Sequence, residues 1–225
     1  MFRTGLLHGI SSSVLGLSIV SLVVMMGSSM VTPSLTLYAK ELGAGEFLIG
    51  AVVAGFAIGR LVFDIPSGFL TGRTGITRSM IIGLGVLAGA SILAGLAPSF
   101  SILFFARLME GIGSSIYVSA AITYVLISSD KIGRRTSMGT YQSIIMIGPI
   151  IGPVVGAPIA FLAGYGAPYF AFAAMVVASI PVTLAISHKL KTSEILDKEP
   201  ERSANKSTYL NSASMATFGF TFLRS

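Results

Sequence analysis

Thr136-SMGTYQSIIMIGPIIGPVVGAPIAFLAGYGAPYFAFAAMVVASIPVTLAIS-His188 runs for 53 residues without a single Asp, Glu, Lys or Arg. A bilayer core takes about 20 apolar helical residues per crossing. The run therefore holds two crossings, and Gly164 to Ala167 supplies the turn between them. A buried core helix or a signal peptide explains one such run, not two, and Ser79 to Ala106 adds 28 further residues without charge. Across the 225 residues 53% are hydrophobic and 11% charged. Soluble domains carry about 25% charged residues, so too little charge is left to cover a water-facing surface. The chain reads as an all-α polytopic membrane protein.

Working outward from that stretch, Gly, Pro and charge punctuate six candidate spans: Ser12 to Tyr38, Phe47 to Thr71, Ser79 to Ala97, Ser101 to Ser128, Met138 to Ala163 and Pro168 to Ser187. Their short connectors make sequential spans antiparallel neighbours. Counting positive charge by side then orients the bundle, because cytoplasmic loops retain Lys and Arg. One side holds Arg3, Arg73, Arg78, Lys131, Arg134, Arg135, Lys189, Lys191, Lys198, Arg202 and Lys206; the other holds only Lys40, beside Glu41 and Glu46. Both ends of the six-helix unit are expected in the cytoplasm, with the bundle in the plasma membrane. The net charge of +6 is thus explained by orientation rather than by nucleic-acid binding.

The absence of Cys excludes disulfides and thiol chemistry. With only His8 and His188, no metal site or cofactor is expected. No Ser-His, His-Glu-x-x-His or paired-Asp arrangement stands at catalytic spacing, so an intramembrane enzyme is disfavoured.

Residues 1–187 form the six-helix domain. The stretch 188–207 is polar, bears both signs of charge and reads as a cytoplasmic linker. In 208–225 apolar character returns over Tyr209 to Leu223, too short for a full crossing. A surface amphipathic helix is one reading; the truncated start of a seventh span is the other, and it makes the chain a fragment.

Four ionisable residues lie inside the spans: Arg60 and Asp64 in the second, Arg107 and Glu110 in the fourth. A charge at bilayer depth costs about 2.5–3.5 kcal/mol even on insertion scales, so these residues are expected to face the bundle interior or a wet cavity. Spacings of four and three put each pair on one helix face, where it can neutralise itself. A packing ion pair is the plainer reading of each. Glu110 lies about 14 Å from the Ser101 end, near the midplane, and Asp64 about 26 Å from Phe47, near the cytoplasmic face, at the α-helical rise. Glu110 is placed as a proton or substrate site and Asp64 as part of a gate. Desolvation opposes the charged form of Glu110 while Arg107 favours it, a balance suited to proton exchange. In the fifth span, Gly139, Gly148, Gly152, Pro153 and Gly156, with Pro149 and Pro158, predict a bent helix with a glycine face for close helix contact.

Together these residues resemble the N-terminal half of a major facilitator superfamily transporter. The loop Gly68-Phe-Leu-Thr-Gly-Arg73-Thr-Gly75-Ile-Thr-Arg78 is similar to the family signature G-x-x-x-D-[RK]-x-G-[RK]-[RK]. It keeps Gly68, Arg73 and Gly75, replaces the Asp by Gly72, and brings Arg78 one step late. The resemblance implies a gating loop; Asp64, one turn before Gly68, stands where it can replace the missing Asp. Arg107-Leu-Met-Glu110-Gly-Ile-Gly113 is similar to R-x-x-Q-G-x-G, which implies an arginine concerned with proton coupling and, with Glu110, a titratable partner. Gly139-x8-Gly148-x3-Gly152-Pro153-x2-Gly156 is similar to the motif of the drug-proton antiporter branches, departing only at Ala157. Pro33-Ser-Leu-Thr-Leu-Tyr38 with Glu41-Leu-Gly43 resembles the end of the family's first helix. The 4–5 loop Asp130-Lys-Ile-Gly-Arg-Arg135 imitates the end of the gating signature but reads as a basic loop.

The resemblance implies proton-coupled export of small amphipathic molecules by a six-helix N-domain rocking against a second bundle around a central cavity. Its partners would be the substrate, protons, the lipid bilayer and either a missing C-terminal half or a second half-size chain. Uptake of a sugar or organic acid is an alternative within transport; a non-transporting membrane assembly subunit, which needs no midplane Glu, is one outside it.

Overall fold

A computed structural model describes residues 12–129 and 133–194, with side chains to 186. The packing below is that of the unit Met1–Lys189; of the second unit, Leu190–Ser225, only the helical turn to Glu194 is described.

Among the described residues eight helices follow one another: α1 (Ser12–Met30), α2 (Thr32–Glu41), α3 (Glu46–Thr74), α4 (Ile76–Gly95), α5 (Phe100–Ile127), α6 (Arg134–Ile145), α7 (Gly148–Ala163) and α8 (Ala167–Glu194). They make six spans long and apolar enough to cross a membrane, since α1 with α2 and α6 with α7 each form one.

Proline explains why two spans are built of two helices. Pro33 cannot donate to the Ser29 carbonyl, nor Pro149 to that of Ile145. The helical ladder is interrupted at Val31 and at Met146–Ile147 in consequence. The bend expected in the fifth span is therefore a break; the one in the first was not foreseen. At the far end, no Gly or Pro stands between Val182 and Glu194. The helix of the sixth span accordingly runs on past Ser187 to Glu194. The rest of 188–207 and all of 208–225 lie outside the described residues.

Helix α5 is the axis of the fold, and α3 and α4 each pack chiefly on it while touching one another little. It is buried at Leu103, Ala106, Arg107, Glu110 and Gly111, then on every side from Gly113 to Tyr117, and beyond at Ala120, Ala121, Tyr124 and Val125, as suits a helix enclosed by its neighbours. The second major seam joins α1 to α7. Both seams between non-consecutive spans are parallel. On α3 and α5, Gly59 meets Leu108 and Gly111 while Gly68 approaches Ser119; on α1 and α7, Gly148 meets Leu22 and Met26, and Gly156 meets Met30. Missing Cβ atoms let these backbones approach closely, as is common between membrane helices. Helix α8 closes on α1, where Phe172 lies over Gly27, and on the end of α4, where Phe170 lies against Gly95. Where α4 ends, Tyr38 Oη lies 3.2 Å from the Ala94 carbonyl and 3.1 Å from that of Ala97.

Candidate functional site

Arg107 and Glu110, one turn apart on α5, form a buried ion pair with Nη1 to Oε2 at 2.5 Å, their side chains 5% and 0% exposed. The second carboxylate oxygen is held from the neighbouring span: Ser91 Oγ on α4 donates to Glu110 Oε1 at 2.7 Å. From the other side, Phe56 of α3 lies under the guanidinium, 5.1 Å from its ring centroid, a cation–π contact. Glu110 is thus capped on both oxygens. Arg107 is not saturated, for its Nε has no hydrogen-bond partner among the described residues. Tyr169 of α8 stands within electrostatic reach of both charges, its own hydroxyl likewise without a partner among the described residues. Two desolvated charges this close hold one another: removing one partner of such a pair typically costs about 3–5 kcal/mol.

Arg60 and Asp64 behave differently. No ion pair joins them among the described residues; instead Ser115 Oγ of α5 donates to Asp64 Oδ1 at 2.7 Å. Ser115 Oγ also lies 3.2 Å from Ser67 Oγ, whose proton goes to the Asp64 carbonyl at 2.8 Å. Asp64 is exposed and Arg60 half-buried, so this pair opens to the surface of the bundle while the α5 pair is sealed within it.

A third polar cluster had not been anticipated. Ser21 Oγ of α1 lies 2.9 Å from Tyr117 Oη of α5 and receives the Tyr141 hydroxyl of α6 at 3.2 Å, all three side chains being buried. The only signal in the sequence was the presence of Tyr and Ser within otherwise apolar spans. Their meeting depends on how three helices rotate.

The loop residues occupy the junction of α3 and α4. Gly75 (φ +88°, ψ 154°) ends one helix and begins the next, a conformation that costs a residue with a Cβ about 1–3 kcal/mol. Arg73 and Arg78 are exposed, and no ion pair links either to Asp64 among the described residues. Gly68 lies on α3, where a Cβ would stand 3.9 Å from Ser119 Oγ. Of the fifth-span residues, Gly148, Gly152 and Gly156 are buried against α1 with Pro153 half-buried among them, whereas Gly139 on α6 is exposed and has open space around it. Among the described residues no group of three His, Cys, Asp or Glu side chains is placed to hold a metal ion.

A family model described as Major Facilitator Superfamily matches residues 17–224. Over 175 residues the chain is 27% identical to Multidrug resistance protein 2 of Bacillus subtilis (strain 168), covering 76% of this chain and 43% of that protein. It is 33% identical over 151 residues to Inner membrane transport protein YajR of Escherichia coli (strain K12), covering 63% of the chain and 33% of the relative. The chain thus spans less than half the length of these curated relatives. A crystal structure of the peptide transporter POT shares the fold, with a TM-score of 0.68 at 16% identity over 78% of this chain and 38% of that one.

Proposed function

The chain belongs to the Major Facilitator Superfamily, and from that premise we propose that it is the N-terminal bundle of a proton-coupled exporter of small amphipathic molecules. The observation that carries this reading is the sealed Arg107–Glu110–Ser91 group at mid-span. A multi-pass membrane protein of a transport family has no structural need for two buried charges there, since apolar residues of similar volume pack as well or better.

Protonating Glu110 neutralises it and leaves Arg107 an unpaired cation in a dry site. That state is relieved only when the helices shift and bring another acceptor or water to the guanidinium, so proton binding biases one conformation over the other. Arg107 and Glu110 form the coupling pair, and Arg60 and Asp64 line the substrate path. Gly68, Arg73, Gly75 and Arg78 make the gating junction, placed in the cytoplasm by the eleven-to-one asymmetry of Lys and Arg. The Gly148–Gly152–Pro153–Gly156 seam, together with the likeness to a multidrug resistance protein, supports export of drug-like compounds. Alternating access would need a second bundle, from the same polypeptide or another chain.

Glu110→Gln in the full gene product tests the coupling role. The change keeps the shape and the Ser91 hydrogen bond but removes charge and titration, so in protein that still folds and binds substrate, proton-driven efflux in proteoliposomes should collapse. Intact efflux with an unchanged pH dependence excludes Glu110 as the proton carrier.

A further inference from the structure

The second span carries two stripes. Arg60, Asp64, Ser67 and Thr71 follow one another at helical spacing, and so do Ile58, Val62, Ile65 and Phe69, two positions out of phase. A two-residue offset on an α-helix is about 200°, so the stripes lie on opposite faces. The apolar four are all exposed and suit lipid. Of the polar four, Ser67 and Thr71 are buried, Arg60 is half-buried and Asp64 exposed; Asp64 meets Ser115 of α5, and Arg60 is within electrostatic reach of Tyr141 of α6.

On that face Arg60 and Asp64 stand about 6 Å apart along the axis, the spacing of a helical ion pair. They form none among the described residues. Asp64 gives one oxygen to Ser115, and Arg60 makes no hydrogen bond or ion pair among the described residues. A cation and a carboxylate therefore lie side by side, accessible, each with unspent charge. A purely anionic ligand meets repulsion from Asp64, and a purely cationic one leaves Arg60 uncompensated. A molecule bearing both signs neutralises both.

We propose that Arg60 and Asp64 form a dipolar recognition site for zwitterionic amphipathic molecules, Arg60 taking the ligand's carboxylate and Asp64 its cationic group. This rests on the transport reading above for its purpose, though not for its geometry.

Rhodamine B, a xanthylium cation with a free carboxylate, and rhodamine B ethyl ester, the same cation without it, isolate the contribution of Arg60. Equilibrium binding of each dye to the full gene product in nanodiscs is read by fluorescence anisotropy. The wild type should prefer rhodamine B about tenfold or more, the scale of one charge-assisted hydrogen bond. Arg60→Gln should abolish that preference and Arg60→Lys keep most of it, while Asp64→Asn weakens both dyes. Equal wild-type affinities, failure of both dyes to bind, or a preference that survives Arg60→Gln each overturn the proposal. So does a loss of folded protein in Arg60→Gln without a wild-type preference, which would assign the cation to a protein partner. Proton-driven efflux of the ester with no preference sinks the dipolar site and leaves export standing. A clear preference without proton-driven efflux sinks export and leaves the site.

Discussion

Gly152→Ala adds one carbon to the α1–α7 seam, and the structure states what that carbon meets. Its Cβ would stand against Ser29 Oγ and the Met26 carbonyl oxygen, with Met30 N at 2.9 Å. The serine hydroxyl can turn away; the Met26 and Met30 atoms are backbone and cannot. The seam has to open by roughly 1 Å for these atoms to regain van der Waals distance, which loosens Gly148 and Gly156 on the same face. Overpacking costs about 1–3 kcal/mol, and rigid backbone neighbours put this case near 3. Alanine recovers about 1 kcal/mol of helix propensity over glycine, leaving a net loss of about 2 kcal/mol. At about 2–4 °C per kcal/mol for a chain of this size, Tm should fall some 4–8 °C, and Gly152→Leu should fall further. Gly85→Ala and Gly89→Ala on α4 are the matched controls, since a Cβ there has nothing within 4 Å; the propensity gain acts alone and Tm should hold or rise. Size-exclusion profiles of the full gene product after graded heating in detergent measure all four. If Gly152→Ala behaves like Gly85→Ala, the seam is not in backbone contact and the packing argument fails.

Two further outcomes follow from the geometry. Ser91→Ala removes the donor to Glu110 Oε1 and should cost about 1.5–3 kcal/mol, the range for a hydrogen bond to a charged group; thermal unfolding reads it, and an unchanged Tm would mean water replaces the hydroxyl. A reporter fused after Arg135 should be cytoplasmic and one after Gly43 external; the reverse pattern refutes the orientation and with it the cytoplasmic gate.

The spans themselves were legible because a crossing is a one-dimensional property: length, apolarity and the absence of charge decide it. Each expected span agrees with an observed one within a few residues at both ends. Pro149 signalled the bend in the fifth span. Pro33 carried the same message in the first and was read only as part of a motif. Short connectors make sequential spans antiparallel but not always neighbours: α4 packs on α5, with Gly83 against Gly113, whereas α3 and α4 hardly touch, and the α3–α5 and α1–α7 seams join parallel, non-consecutive spans, which connector length cannot reveal. The same limit hid Ser91, Ser115 and Phe56. Each completes a charged group from another helix, and its register depends on helix rotation. Spacing alone also treated Arg60–Asp64 and Arg107–Glu110 as equivalent pairs, whereas Ser115 draws Asp64 away from its arginine.

The parallel seams also set a timetable for assembly. Met30 and Gly156 are neighbours in space but are synthesised 126 residues apart, an interval of about 6–25 s at ribosomal speeds of about 5–20 residues per second. Until then the stretch of the first span that α7 covers, Leu22 to Met30, lacks its α7 partner. Spans two and three wait in the same way for α5, because they hold to it and hardly to each other. A nascent chain stalled before Phe100 therefore presents three inserted but unassembled helices to the membrane's quality-control machinery. Arrival of the fourth span organises the second and third, and the fifth then supplies the main partner of the first.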